Sequence, residues 1–168
     1  REGTPRTVLE AMATGRAIIT TDAPGCRETV ADGTNGLLVP VKNPAALAEA
    51  MLRLCADRNL LTEMRRRSRD LAEKKFDEAL SINATSVDAV TGLALVYEES
   101  GQPAAAESSF GKAIDLQPGY WSGYNDRGTF RLFNGNIDGA IADFRRVTAL
   151  TPEGSRGYNN LGSAYYLK

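Results

Sequence analysis

The chain has 168 residues with 20 basic and 21 acidic side chains, a net charge of −1. It is therefore long enough for one domain or two small ones, and its charge does not indicate a nucleic-acid-binding surface. It contains no histidine, which excludes Ser-His-Asp and Cys-His catalytic groups and histidine metal sites within this chain. No metal is expected, and no run of 18 apolar residues predicts a membrane span.

The chain ends and the distribution of charge suggest two joined modules. The chain begins at Arg1 rather than Met and ends at Lys168 inside a predicted helix, so we expect a fragment or a chimera. Residues 1–75 carry a net charge of +3 and residues 76–168 a net charge of −4, a shift that favours two modules. The two cysteines, Cys26 and Cys55, predict a reduced, cytoplasmic chain.

The first module alternates helix and strand patterns. Thr-Pro and Asn-Pro pairs mark helix starts, because the first residue caps the helix and proline fits its first turn. Short β-branched and apolar runs between turn residues predict buried strands. In chain order, the predicted elements are a helix from Thr4 to Gly15, strands at 17–21 and 36–39 joined by a loop at 22–35, a helix from Asn43, and another from about Leu60.

The second module repeats with a period of 34 residues. Seven pairs of identical residues share this offset: Gly101 and Gly135, Ala106 and Ala140, Phe110 and Phe144, Pro118 and Pro152, Tyr124 and Tyr158, Asn125 and Asn159, Gly128 and Gly162. This pattern resembles the tetratricopeptide repeat, which implies two antiparallel helices per repeat. Full repeats are expected at 87–118 and 121–152, with a partial repeat at 155–168. Arg127 and Arg131 stand where the family has Leu and Tyr, which puts the tight packing of that repeat in doubt.

The first module has a family resemblance of its own. Its sequence runs REGTPRTVLEAMATGRAIITTDAPGCRETVADGTNGLLVPVKNPAALAEAM. It resembles the donor-binding domain of family 4 glycosyltransferases, which are retaining enzymes of the two-domain Rossmann-like class. The resemblance rests on Glu2 and Glu10, with seven residues between them that include Gly3-Thr4-Pro5, together with the stretches EAMATGRAIITTDAPGCRETV and DGTNGLLVPV in register. It is closest to members that build surface polysaccharides on a lipid-diphosphate carrier.

The resemblance implies a site for a nucleotide-diphosphate sugar, with no further cofactor. A helix start offers free N–H groups to a pyrophosphate, here within the segment from Thr4 to Val8. Thr4, Thr7 and Val8 carry such amides, whereas Pro5 has no N–H and fits the first turn of the helix. By resemblance, Glu10 accepts from ribose hydroxyls and Glu2 meets the donor sugar. The loop after the first strand is a further candidate, with Gly25, Cys26, Arg27 and Glu28, although Arg27 and Glu28 could equally form a surface pair.

A basic run follows in the last helix of the first module. Two roles are open for this run, which consists of Arg65, Arg66, Arg67 and Arg69. It could contact the anionic inner face of a membrane in the parent enzyme, or form a solvated helix face. The same helix, at about residues 66–80, fits both family patterns. We therefore expect it to be shared by a glycosyltransferase segment at 1–75 and repeats at 69–168, with a half repeat at 69–84. The two predicted strands leave an open sheet edge, which predicts self-association through residues 1–55.

The resemblance to tetratricopeptide repeats implies a peptide groove lined by the first helix of each repeat. Its expected residues are Thr91, Leu95, Asn125, Thr129, Asn159 and Ser163. They carry little positive charge, with Arg156 the main exception, so a clamp for a terminal carboxylate is not expected. Asn125 and Asn159 either bond the backbone of an extended segment or satisfy neighbouring helices.

The fold class expected is therefore a partial α/β Rossmann-like half-domain followed by an all-α repeat solenoid, mostly helical overall. One hypothesis is a glycosyltransferase whose repeats recruit substrates or partners. The other is an interaction scaffold in which the enzyme segment is a vestige or a product of joined fragments. In either case the chain alone is predicted to transfer no sugar.

Overall fold

The computed structural model describes residues 6–168, which form two compact units, one ending at Ile82 and the other spanning Asn83–Lys168. Four of the predicted donor-site residues lie outside the described residues: Glu2, Gly3, Thr4 and Pro5. Within residues 6–168, no helix is both long and apolar enough to cross a membrane.

The first unit contains the predicted mixture of helices and strands. Its elements in chain order are α1 (Arg6–Ala13), β1 (Ile18–Thr21), β2 (Gly36–Val39), α2 (Pro44–Ala56) and α3 (Arg58–Ile82). Helix α1 ends at Ala13, and the turn that follows contains Gly15, whose φ of 63° favours glycine. Helix α2 begins as predicted, because the Asn43 side chain accepts a hydrogen bond from the Ala46 N–H at 3.0 Å. The predicted shared helix at 66–80 lies inside α3.

The two strands are parallel and pair in register from Ile18 with Gly36 to Thr21 with Val39. Their approach explains the glycine at the start of β2. A Cβ atom at Gly36 would lie 2.0 Å from the Ile18 carbonyl oxygen, so any other residue would separate the strands.

The loop at 22–35 is ordered around a buried asparagine. Asn35 is fully buried, and its Oδ1 accepts a hydrogen bond from the Ala31 N–H at 2.7 Å. Its carbonyl oxygen accepts from the Ser68 hydroxyl of α3 at 2.9 Å and from the Ile18 N–H at 3.2 Å. The loop is thereby attached to both α3 and β1. This fixes the connection that parallel strands require.

The core of the first unit lies between β2, α2 and α3. It combines residues from all three elements: Leu37, Val39, Ala50, Leu54 and Met64. Met64 is the α3 residue of this buried cluster and has no exposed surface. Truncating a buried side chain of this size costs about 2–5 kcal/mol.

The second unit consists of five helices among its described residues, and they repeat as predicted. They are α4 (Val87–Glu99), α5 (Pro103–Leu116), α6 (Trp121–Phe133), α7 (Ile137–Leu150) and α8 (Ser155–Tyr166). Helices α4, α6 and α8 start 34 residues apart, as do α5 and α7. Gly101 and Gly135 make equivalent turns with φ of 70° and 80°. The solenoid architecture expected from the sequence is confirmed.

Each full repeat packs one phenylalanine against small residues. In the first repeat, Phe110 of α5 packs with Ala94 of α4, Ala106 and Phe130, and the two phenylalanine rings lie 5.5 Å apart. In the second, Phe144 of α7 is 1% exposed. Small residues let the helix axes approach, and the ring fills the space that remains.

Candidate functional site

The first candidate site is the start of α1. The Thr7 side chain is exposed, and Val8 and Glu10 are half-buried. The Glu10 carboxylate accepts a hydrogen bond from Arg6 Nε at 2.8 Å, and 46% of the Glu10 side chain remains exposed. This exposure leaves the carboxylate accessible to a ligand, which would compete with Arg6 for it.

The loop that follows β1 holds the second set of predicted donor-site residues. Gly25 takes a φ of 88°, and the Arg27 guanidinium pairs with the Asp22 carboxylate at 3.1 Å and donates to its carbonyl oxygen. The Cys26 carbonyl accepts from the Thr29 hydroxyl at 2.6 Å, and the Glu28 carbonyl accepts from Lys75 at 3.4 Å. Arg27 therefore pairs within its own loop.

The basic run of α3 makes contacts within the first unit. Glu63 accepts from Arg66 at 2.7 Å and from Arg67 at 2.6 Å, and these hydrogen bonds lower the pKa of Glu63 to about 2. Arg66 also pairs with Asp70, and Arg65 donates to the Gly15 carbonyl at 2.9 Å. The carboxylates offset part of the positive charge on this face.

The third candidate site is the row of predicted groove positions on α4, α6 and α8. The exposure of these residues differs along the row. Asn159 and Ser163 on α8 are exposed, Thr91, Leu95 and Thr129 are half-buried, and Asn125 is buried. The exposed hydrogen-bonding groups of the row are therefore concentrated on α8.

Asn125 is held by its neighbours. Its Oδ1 accepts a hydrogen bond from Asn160 Nδ2 at 2.9 Å, and its Nδ2 donates to the Asp126 carboxylate at 3.3 Å. The amide thus joins α6 to α8 across the repeat boundary. Sequence analysis did not identify Asn160. Its neighbour Asn159 shares the 34-residue offset with Asn125, but Asn160 makes the contact.

The unusual arginines of the second repeat form a partly buried ionic network. Asp143, whose side chain is 5% exposed, accepts from Arg127 at 2.8 and 3.0 Å and from Arg131 at 2.9 Å. Arg131 also donates to Glu107 of α5 at 3.0 Å. The hydrogen bonds that Arg127 donates to the Asp143 carboxylate raise the pKa of Arg127 above its ordinary value. The arginines are therefore accommodated by paired carboxylates on α5 and α7, which sequence analysis had not assigned to them.

Acidic residues lie beside the groove row on α4. Burial raises the pKa of Glu98, and repulsion from Glu99 and Asp126 raises it further. Arg156, the basic exception on α8, lies over the Trp121 ring at 5.4 Å from its centroid. The groove row is therefore neutral to acidic, and Arg156, its basic exception, is stacked on the Trp121 ring.

The fold and these sites define a small parallel α/β segment followed by a solenoid of paired helices. Residues 1–57 match the family of glycosyl transferases group 1, and residues 87–120 and 125–168 match two tetratricopeptide repeat families. The chain is a glycosyltransferase segment fused to tetratricopeptide repeats.

Individual relatives match one segment or the other. Tetratricopeptide repeat protein 36 of Bos taurus is 35% identical over 89 residues, which cover 51% of this chain and 46% of that protein. The N,N'-diacetylbacillosaminyl-diphospho-undecaprenol alpha-1,3-N-acetylgalactosaminyltransferase of Campylobacter jejuni is 40% identical over 60 residues, or 36% of this chain and 16% of that protein. The chain spans less than half the length of each of these curated relatives.

One similar solved structure is the first tetratricopeptide domain of Spaghetti (RPAP3) bound to the HSP90 peptide SRMEEVD. It has a TM-score of 0.54 and 23% identity, and the match covers 61% of this chain and 82% of that one. At this identity the likeness shows the shared repeat fold.

Proposed function

We propose that the repeat unit binds an extended segment of a protein partner along α4, α6 and α8. The observation that carries this proposal is the exposure of Asn159 and Ser163 on α8, next to half-buried positions on α4 and α6. An exposed amide offers both a donor and an acceptor to the backbone of an extended peptide.

The charge of the groove row selects among peptides. Glu98 already carries a raised pKa because burial and acidic neighbours disfavour its charged form. A second source of negative charge, such as an acidic peptide end, would increase that repulsion. We therefore expect neutral or basic segments to bind, and acidic carboxyl-terminal peptides to be rejected.

A peptide-library screen against the full chain tests this proposal. Enrichment of neutral or basic internal segments, weakened by Asn159→Ala, is the expected result. Asn83→Ala, at an exposed position before α4, is the matched control. Enrichment dominated by free acidic carboxyl termini would overturn the proposal, and so would binding that Asn159→Ala leaves unchanged.

We propose that the first unit is the donor-binding segment of a retaining glycosyltransferase in the cytoplasm. In this proposal, the unit contributes to a site for a nucleotide-diphosphate sugar. Helix α1 enters β1 through residues 14–17, and so short a connection favours opposite directions for helix and strand. This arrangement would bring the start of α1, with Thr7 and Val8, to the sheet edge where β1 ends. Parallel α/β sheets bind ligands at that edge.

Two measurements on the full chain test the donor site. Sugar transfer from common nucleotide sugars is expected to be undetectable, because the resemblance implies an acceptor domain and basic diphosphate ligands that residues 1–82 do not supply. Any residual nucleotide binding in calorimetry should weaken with Glu10→Ala and persist with Glu49→Ala, which removes an exposed carboxylate of α2. Equal affinity of both variants would refute the role of Glu10.

A scaffold without nucleotide binding is the second candidate function. It is favoured by the ion pairs that Glu10 makes with Arg6 and Arg27 makes with Asp22, since both pairs satisfy these side chains without a ligand. Failure to detect nucleotide binding at millimolar concentration, together with peptide binding by the repeats, would establish this alternative.

A further inference from the structure

A cleft in the first unit lies between the end of the loop at 22–35 and one side of α3. Its volume is about 470 Å³, which is within the range of small-molecule binding sites. Ala31, Thr34 and Asn35 form the loop wall, and residues between Arg66 and Lys74 form the helix wall. We call this space the α3 cleft.

Buried hydrogen bonds hold the two walls of the α3 cleft together. The Asn35 carbonyl accepts from the Ser68 hydroxyl of α3 at 2.9 Å, and both residues are fully buried. Asn35 Oδ1 also accepts from the Ala31 N–H at 2.7 Å, which fixes the rest of the loop wall. The cleft is therefore preformed by the fold, and a ligand need not order the loop in order to bind.

The α3 cleft lies at the edge of the sheet where the strands begin. Residues 31–35 lead directly into β2, and the Asn35 carbonyl accepts from the Ile18 N–H at the start of β1. The predicted donor loop at 25–28 instead follows the end of β1 at Thr21. An inference about the cleft is therefore independent of the proposed nucleotide-sugar site.

Three cations line the α3 cleft together with one carboxylate. The cations are Arg66, Arg67 and Lys74, and the carboxylate is Asp70. Arg66 is already committed, because it donates two hydrogen bonds to Glu63 and one to Asp70 at 2.8 Å. The other two cations therefore supply the positive charge that a ligand could use.

Arg67 and Lys74 retain hydrogen-bond donors for a ligand. Arg67 donates from Nε to Glu63 at 2.6 Å, and its two Nη groups have no acceptor within the described part of the chain. Lys74 Nζ lies 3.9 Å from the Glu78 carboxylate, which is too long for a hydrogen bond. The Thr34 hydroxyl, on the loop wall, also has no partner among the described residues. The two walls thus present three sets of unused donors to the cleft.

We infer that the α3 cleft binds the phosphate monoester of a small hydroxyl-bearing molecule, such as a phosphorylated sugar or polyol. Arg67 and Lys74 are two turns apart on α3, roughly 10 Å along the helix axis, and Leu71 lies between them. Their long side chains can reach one anion from both sides. The guanidinium offers parallel N–H donors to two phosphate oxygens, and the ammonium adds a point charge.

Asp70 distinguishes this ligand from a simple anion. Its Oδ2 accepts from Arg66, whereas its Oδ1 has no donor within the described part of the chain. A carboxylate oxygen repels a second anion but accepts hydrogen bonds from hydroxyl groups. Leu71 and Ala31 add apolar surface for the C–H groups of the same ligand. The cleft should therefore bind a phosphorylated polyol more tightly than inorganic phosphate.

Inositol monophosphate is the soluble probe for this site, and inorganic phosphate and inositol are its two partial ligands. Each is titrated into the isotopically labelled full chain, and amide shifts are followed by NMR. We expect shifts centred on Thr34, Arg67 and Lys74, and a lower dissociation constant for the probe than for either partial ligand. Shifts centred on the start of α1 and the loop at 25–28 would overturn the inference.

The same phosphorylated polyol can be free or part of a membrane lipid. Sedimentation with phosphatidylcholine vesicles, with and without phosphatidylinositol monophosphate, separates these two sources. Binding of the soluble probe alone assigns a free ligand to the cleft. Binding to the phosphorylated vesicles that the soluble probe displaces assigns the lipid headgroup. Undetectable binding of the unmodified chain in both arms would overturn the inference.

Charge variants locate the phosphate. Arg67→Gln and Lys74→Gln should each weaken binding of inositol monophosphate by about tenfold. The fold should be retained, because Glu63 keeps its bonds from Arg66. Arg58→Gln is the matched control, since it removes an equal charge from an exposed position of α3 outside the cleft. Equal losses in Arg58→Gln and Arg67→Gln would reveal general attraction to a basic surface and refute the inference.

A variant of the carboxylate tests recognition of the hydroxyl groups. Asp70→Ala removes an acceptor for hydroxyl groups and also removes the repulsion of a simple anion. It should therefore reduce the preference for inositol monophosphate over inorganic phosphate. The Arg66 side chain remains bonded to Glu63 in this variant. An unchanged preference would contradict the assignment of a polyol to the cleft.

Discussion

The Arg127 guanidinium donates two hydrogen bonds to the Asp143 carboxylate, from Nε at 3.0 Å and from Nη2 at 2.8 Å. The two residues lie on α6 and α7, and Arg131 shares the same carboxylate. These ionic contacts stand where the repeat family has leucine and tyrosine side chains, beside the apolar packing of Phe144. They make the second repeat depend on charge complementarity, since each arginine is only 19% exposed.

Removal of the shared carboxylate should strongly destabilise the repeat unit. Asp143→Asn leaves Arg127 and Arg131 partly buried without their common anion, which costs about 3 kcal/mol or more. For a unit of this size, such a loss lowers the unfolding temperature by roughly 15 °C. Thermal unfolding followed by circular dichroism measures the change. An unfolding temperature like that of the unmodified chain would show that the network contributes little.

A compensated variant separates the loss of packing from the loss of charge balance. The triple change Arg127→Leu, Arg131→Tyr and Asp143→Ser installs the residues found at equivalent positions of the first repeat. It should recover most of the stability lost in Asp143→Asn, because buried ion pairs can be replaced by apolar contacts of similar volume.

Asn125 and Asn159 should give opposite results in stability and binding assays. Asn125→Ala leaves the Asn160 amide without its acceptor and should cost about 1 kcal/mol of unfolding free energy. Asn159→Ala removes an exposed side chain and should leave stability nearly unchanged while it weakens peptide binding. Chemical denaturation and peptide titration of both variants are the measurements. Equal stability of the two variants would contradict the structural role of Asn125.

Glu98 should lower the free energy of unfolding of the repeat unit at pH values above the range in which carboxyl groups titrate. Its pKa is raised by burial and by repulsion from Glu99 and Asp126, so the folded state binds its proton more tightly than the unfolded chain does. The stability that this proton contributes is present below the unfolded pKa and is lost as pH rises through the folded pKa.

Glu98→Gln should therefore stabilise the chain at pH 7 and lose this advantage at about pH 4. The gain is roughly 0.3 kcal/mol, because water screens a group that is only half-buried. Unfolding temperatures at the two pH values test this expectation, with Glu153→Gln as the exposed control. A gain that is larger at pH 4 than at pH 7 would reverse the sign and contradict the assignment.

The open edge of β1 should promote self-association. The N–H groups of Ile18 and Asp22 point toward β2, since they donate to the carbonyls of Asn35 and Val39. Backbone groups alternate in direction along a strand, so the Thr21 N–H points toward the other edge. Thr21→Pro removes this donor and should weaken association in sedimentation, whereas Thr21→Val keeps it and should not. A monomeric unmodified chain at high concentration would contradict the prediction.

The sequence alone predicted the helices and strands of the chain and the 34-residue repeat of the helix pairs. The capping pair at Asn43 and Pro44 and the 34-residue offset are local or periodic signals, and both were confirmed because backbone conformation responds to nearby residues. The parallel pairing of β1 and β2 agrees with the partial Rossmann-like α/β half-domain that the resemblance implied.

Only the tertiary structure decided which side chains meet. Asn125 contacts Asn160 rather than its periodic equivalent Asn159, because side chains on successive helices meet according to helix packing and not sequence spacing. Arg127 finds Asp143 across the helix pair for the same reason.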